Sequence, residues 1–185
     1  MTAFGTFSGN PKTEWLTDDK DDDRNMKLLE DFIFTDANGK VWPAPKDSVI
    51  NGASIPRPLW SSVGSPYTDD YRRASIVHDI ACDNKNILRK DADVMFYYAC
   101  LAGGCSKAKA SILYAGVRIG AWSNRFIVSG ALKKDNLLFR MPSRTNADAQ
   151  FLKNKFEEIV LELQAFDDQS SIEDLDKVIE KHIKF

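Results

Sequence analysis

Hydrophobic positions recur along this chain with two periods, and the change between them divides it. From Lys27 to Thr35 the side chains alternate, with Phe32 and Phe34 on one face and Ile33 on the other. That is the two-residue period of a strand. Asp36-Ala-Asn-Gly39 supplies a turn and Val41-Trp42 starts a return strand, so a hairpin is expected. Pro43 and Pro45 end that strand or hold it at a sheet edge, because proline donates no ladder hydrogen bond.

Beyond Pro58 the period becomes helical. Tyr71, Ala74, Val77 and Ala81 share a face, with Thr68 as the expected N-cap. A second helix starts near Lys90-Asp91 and carries Ala92, Met95, Phe96 and Ala99 up to Gly103-Gly104. A third runs from Ser106 to Gly130, and its small residues Ala115, Gly116, Gly120 and Ala121 suit close packing. Residues 133–146 form a break. After it, Phe151, Leu152, Phe156, Ile159, Val160 and Leu163 make one amphipathic stripe, and Ile172, Leu175, Val178, Ile179 and Ile183 another. Such terminal helices more often cover their own core than recruit a partner. The expected fold is mainly α with a small N-terminal β element (α+β). A core occupies residues 1–131, and a linker with C-terminal amphipathic helices occupies 132–185.

Composition narrows the class. The 185 residues are 43% hydrophobic and 28% charged with a net charge of −2, which gives no reason to expect nucleic acid as a partner. No apolar run approaches the roughly 20 residues that span a bilayer, so no transmembrane segment is expected. The N-terminus lacks the basic and apolar regions of a signal peptide. A cytoplasmic protein is therefore the expectation, with export without a cleaved signal left open. The acidic run at 17–25 lacks the glycine and distal glutamate of an EF-hand loop and reads as a solvated loop. Cys82, Cys100 and Cys105, odd in number, read as reduced thiols acting as small hydrophobes. No paired Cys/His spacing of the zinc type is present.

The chemistry concentrates between residues 50 and 96. His78, one of two histidines, stands beside Asp79 and upstream of Asp93. A helix, a short loop and a second helix would bring Asp93 back against His78, giving a base with an orienting acid. Asp79 points about 100° round the helix from His78. It is left to bind a hard cation with the backbone around Asn51 and Gly52, where glycine permits close approach. Arg57, Ser54 and Trp60 are the substrate-binding candidates. No Gly-x-Ser-x-Gly elbow surrounds Ser54, so a turn or cap suits it better than a nucleophile's role. The loop has a second reading as a rigid turn between Pro56 and Pro58, with Arg57 neutralising Asp79 or Asp93. Arg72, Arg73, Arg89 and Lys90 read as surface charges or as attractors of an anionic substrate.

Gly52-Ala-Ser-Ile-Pro-Arg57, Leu59-Trp60, Gly64-Ser-Pro66, Tyr71-Arg72, Ala74, His78-Asp79 and Ala92-Asp93-x-x-Phe96 together resemble the signature of domain of unknown function 1353. That is an uncharacterised family of phages, prophages and bacteria, and the resemblance spans roughly residues 4–125. The order Gly-small-Ser, His-Asp, Asp-x-x-Phe and an Ala/Tyr-rich helix is also similar to prokaryotic phospholipase A2. This second resemblance implies a three-helix phospholipase A2-like core plus a C-terminal helical extension. It further implies that His78 activates water, that Asp93 orients it, and that Asp79 with Asn51 and Gly52 holds a calcium that stabilises the oxyanion. The chain departs from that pattern in three ways. Asn51 replaces an expected acid, Cys82 replaces a supporting tyrosine, and the disulfides of the secreted enzymes are absent. Two functions are weighed: a calcium-assisted hydrolase of an acyl ester such as a phospholipid, and a non-enzymatic phage or prophage accessory protein that docks a host or virion protein through its C-terminal helices.

Overall fold

A computed structural model describes residues 3–17, 25–64, 67, 70–130, 146–166 and 170–183, with backbone only for 124–130 and 146–148. The chain is mainly helical with two small antiparallel sheets, an α+β fold. It groups into two compact units: Met1–Ala53 with Pro66–Ser106, and Ser54–Ser65 with Lys107–Phe185. Each unit is discontinuous in sequence. The acidic run at 18–24 and the break up to 145 lie outside the described residues.

In the first unit, β1 (Gly5–Phe7), β4 (Phe32–Asp36) and β5 (Val41–Ala44) form one sheet in the order β1-β4-β5. β2 (Thr13–Trp15), β3 (Met26–Leu28) and β6 (Val49–Ile50) form the other in the order β2-β3-β6. The single strand expected from Lys27 to Thr35 is therefore two strands in different sheets. The bend between them is held by Asp31, whose Oδ1 accepts the Lys46 N–H at 2.7 Å. Met26, Leu28, Phe32 and Phe34 are all buried and all even-numbered, so the alternation continues in step across the bend and hides it.

The hairpin turn is as expected. Asp36 Oδ1 accepts the N–H groups of Asn38 (2.9 Å) and Lys40 (3.0 Å), and Trp42 Nε1 donates to Oδ2 at 3.1 Å. Pro43 pairs opposite Ile33 on the edge strand β5, where its missing donor costs no ladder bond. Phe7 stacks on Phe32 with ring centroids 5.6 Å apart, which carries the apolar face of this sheet onto β1.

Two helices complete the unit, α2 (Arg72–Asp83) and α3 (Arg89–Gly103), the label α1 being taken by Trp60–Val63 of the second unit. α2 starts after Tyr71 with no side-chain cap; the expected cap, Thr68, lies outside the described residues. α3 ends as its sequence indicates. Gly104 takes the left-handed conformation (φ 108°) and its N–H reaches the carbonyls of Cys100 and Leu101. α2 packs along α3, and the two rest on strands of the β1-β4-β5 sheet.

In the second unit, a 3₁₀ turn at Arg57–Leu59 leads into α1, followed by α4 (Lys107–Gly130), α5 (Asn146–Leu163) and α6 (Ile172–His182). The small residues of α4 serve close approach: Gly116 lies against Ile55, and a Cβ at Gly120 would overlap the Ser54 carbonyl. Phe156, Ile159 and Leu163 of α5, Leu175 and Ile179 of α6, and Ile183 just beyond it are buried, so the terminal stripes cover apolar surface within the chain. A capping box between Ser171 and Asp174 opens α6, and Tyr114 donates to Asp176 at 2.7 Å. No helix of the described residues is long and apolar enough to cross a membrane.

Candidate active site

α2 places His78 among the buried residues Ser75, Ile76, Val77 and Ala81, and α3 lays Phe96 against the imidazole with ring centroids 4.8 Å apart. Asp93 precedes Phe96 on the same helix, so the packing of α3 on α2 brings its carboxylate to the ring. His78 Nε2 and Asp93 Oδ1 are 2.8 Å apart and both side chains are 0% exposed. The structure thus brings together the two residues chosen from sequence as base and orienter.

Arg89 completes the pair. It lies one helical turn before Asp93, and its Nε donates to the same Oδ1 at 2.9 Å. The sequence reading treated Arg89 as a surface charge or substrate attractor; it is instead the cation held against a fully buried carboxylate. The i,i+4 spacing on α3 was the signal that could have found it. Burial pushes the Asp93 carboxyl up, but the His78 hydrogen bond and the Arg89 charge hold it below the usual carboxylate range. Burial likewise opposes the charged imidazole. The Cys82 charge and the Asp93 hydrogen bond outweigh it, and His78 is raised from 6.5 to about 9.

Cys82 corrects the sequence reading. Cys100 and Cys105 are buried hydrophobes as expected, whereas Cys82 is half-buried and follows His78 by four residues on α2. Its Sγ lies 3.4 Å from Nε2 and 3.8 Å from Nδ1. The His-x-x-x-Cys spacing, which puts both side chains on one helix face, was again the available signal. One ligand atom each from His78, Cys82 and Asp93 lies within 4.8 Å of the others, a donor set of the zinc kind. Asp93 Oδ1, however, already takes donors from His78 and Arg89, and the guanidinium supplies the positive charge a metal would bring. The arrangement therefore suits an ionic network better than a metal centre.

Asp79 bonds to the loop after β6. Its Oδ2 accepts the N–H of Asn51 at 2.7 Å and of Gly52 at 3.3 Å. Gly52 has φ 99°, in the left-handed region that favours glycine. The loop turns two backbone N–H groups towards the carboxylate. Asp79 thereby anchors the loop. Burial, opposed by the Asn51 amide and reinforced by the Asp83 charge, pushes the Asp79 carboxyl up to about 6.

Ser54, Arg57 and Trp60 belong to the second unit. Ser54 is buried, the Arg57 guanidinium lies over the Trp60 ring at 5.6 Å, and Trp60 Nε1 donates to the Ile55 carbonyl at 2.9 Å. In the first unit a cleft of about 810 Å³ is lined by Trp15, Tyr67, Arg72 and Arg73 among others, and none of His78, Cys82, Arg89 or Asp93 lines it.

Residues 26–117, a span containing the whole cluster, match the family described as "Protein of unknown function (DUF1353)". Two similar proteins are both from Sinorhizobium fredii (strain NBRC 101917 / NGR234). The uncharacterized protein y4jT is 39% identical over 114 residues, covering 62% of this chain and 33% of that protein. The uncharacterized protein y4iH is 42% identical over 96 residues, covering 51% of this chain and 40% of that protein. The chain thus spans well under half the length of either relative. No solved structure matches.

Proposed function

We propose that this chain, a member of the DUF1353 family through residues 26–117, is a hydrolase of acyl esters in which His78 is the base and Asp93 its orienting acid. The observation that carries this reading is the 2.8 Å approach of His78 Nε2 to Asp93 Oδ1. A carboxylate there accepts a hydrogen bond from Nε2–H, fixes the tautomer and leaves Nδ1 as the proton-accepting nitrogen of the neutral ring. Arg89 keeps that carboxylate ionised. Phospholipid is the substrate class that the phospholipase resemblance suggests, and short-chain esters share its reacting bond. Calcium has no step in the reaction as proposed.

The test is turnover of p-nitrophenyl esters and of phospholipid vesicles by wild type, His78→Ala and Asp93→Asn, each shown to be folded by circular dichroism. His78→Ala is expected to abolish turnover. Asp93→Asn is expected to lower it by roughly a thousandfold or more, the scale seen when an orienting carboxylate is neutralised. Turnover absent from the wild type on both panels, or unchanged in His78→Ala, would refute the proposal.

A second reading is favoured by the complete burial of His78 and Asp93. In it the cluster is a polar rivet between α2 and α3, and the protein acts by binding another protein. Removal of residues 147–185 would then abolish capture of that partner while leaving the rivet in place.

A further inference from the structure

The buried dyad meets its surroundings unevenly. His78 and Asp93 are 0% exposed, whereas Cys82 is half-buried and the Arg89 side chain is 26% exposed. An outside reactant therefore reaches the cluster at the sulfur and the guanidinium before it reaches the imidazole. Sγ lies within hydrogen-bonding reach of the ring nitrogens, and Cys82 interacts electrostatically with both His78 and Arg89. Reactive cysteines sit in such partly exposed, electropositive surroundings, while buried structural cysteines stay inert, and Cys100 and Cys105 are buried. Asp93 offsets one of the two positive charges, being bonded to both His78 and Arg89, and Asp79 and Asp83 are further acidic groups on α2. Asp79 is drawn off by the amides of Asn51 and Gly52, and Asp83 is exposed at the end of α2.

We infer that Cys82 is the nucleophile of this site, attacking the carbonyl carbon of an acyl substrate with His78 and Asp93 behind it. The inference rests on the hydrolase reading for its reaction class and replaces direct activation of water by a covalent route. The thiolate sulfur forms a bond to the carbonyl carbon. The ester C–O bond breaks, and the departing alkoxide takes the proton held by His78. The neutral ring then accepts a proton from water as the oxygen adds to the thioester, the S–C bond breaks, and the thiolate and imidazolium are restored. Ester and water are consumed, acid and alcohol are released, and no other reactant is needed. A ring that holds its proton to about 9 suits this route, since the imidazolium is the acid the first half requires.

The experiment has two arms on the full chain. In the first, iodoacetamide alkylation of Cys82, Cys100 and Cys105 is followed by mass spectrometry near neutral pH in wild type, His78→Ala and Arg89→Gln. Cys82 is expected to react about tenfold or more faster than a cysteine peptide, and to lose that advantage in His78→Ala. In the second, p-nitrophenyl butyrate turnover is measured in wild type, Cys82→Ser and His78→Ala, and the quenched wild type is searched for an acyl adduct on Cys82.

An adduct on Cys82, with turnover lost in Cys82→Ser, supports the inference. Alkylation at the rate of a free peptide and independent of His78 overturns it. Turnover lost in His78→Ala but kept in Cys82→Ser also overturns it and leaves the water-activating hydrolase standing. Fast, His78-dependent alkylation with no ester turnover by the wild type overturns the hydrolase reading, while Cys82 remains the reactive atom of the site.

Discussion

Raising the pH from about 6 to about 10 removes the proton from His78, and the folded protein is expected to lose stability as it leaves. The folded state holds this proton to about 9, against 6.5 for an unperturbed imidazole. At about 1.4 kcal/mol for each pH unit between those values, the ionised ring contributes about 3 kcal/mol. Because the folded value is the raised one, the contribution is complete below 6.5, declines between 6.5 and about 9, and is gone above that. Urea unfolding of wild type and His78→Asn over this range, followed by circular dichroism, isolates it. Tyrosines and the Cys100 and Cys105 thiols that ionise in the unfolded chain act on both proteins and cancel in the difference, whereas Cys82, whose charge acts on the ring, stays part of the measured contribution. For a urea dependence of about 1–3 kcal/mol per molar, the wild-type midpoint advantage should shrink by about 1–3 M across the range. Asp93→Asn should flatten the wild-type slope, because it removes the carboxylate that bonds the ring. A slope equal in wild type and His78→Asn would refute the argument. So would an Asp93→Asn slope as steep as that of the wild type.

Two further expectations follow from contacts elsewhere. Asp79→Asn keeps an oxygen for the Asn51 and Gly52 amides and removes a carboxyl whose ionisation burial disfavours. Folded Asp79 holds its proton to about 6, so the wild type loses stability between about 4 and 6 while the variant does not. Above pH 6 the variant is expected to match or exceed the wild type, by about 1 kcal/mol after allowance for partial exposure, and an Asp79→Asn protein less stable at pH 7 by chemical unfolding would contradict this. Gly120→Val drives a side chain into the Ser54 carbonyl. It is expected to cost about 1–3 kcal/mol in unfolding free energy, with an unchanged melting temperature as the contrary result.

The helices were legible because amphipathy is a local pattern. The stripes through Ala74 and Val77, through Ala92 and Phe96, and through Leu175 and Ile179 each report a face that must be buried, wherever its partner lies. The Asp36–Gly39 hairpin was legible for the same reason, since Asp36 organises its own turn. The bend at Asp31 was not, because Leu28 and Phe32 point inward on both sides of it and the alternation never loses step. Arg89 and Cys82 fell between these cases. Their four-residue spacings from Asp93 and His78 were visible, but spacing alone does not distinguish a solvated neighbour from a group inside a buried network.

By itself, then, the sequence determined a mainly helical α+β chain with His78 and Asp93 on consecutive helices. Only the tertiary structure decided that both side chains are sealed from solvent, that Arg89 is their counter-cation, and that Cys82 stands half-buried beside the ring. It also decided that Asp79 holds a loop by its amides. The reason is physical. A periodic pattern records which side of an element avoids water, whereas burial, charge pairing and reactivity depend on which distant groups the packing of α2 on α3 brings within a few ångströms.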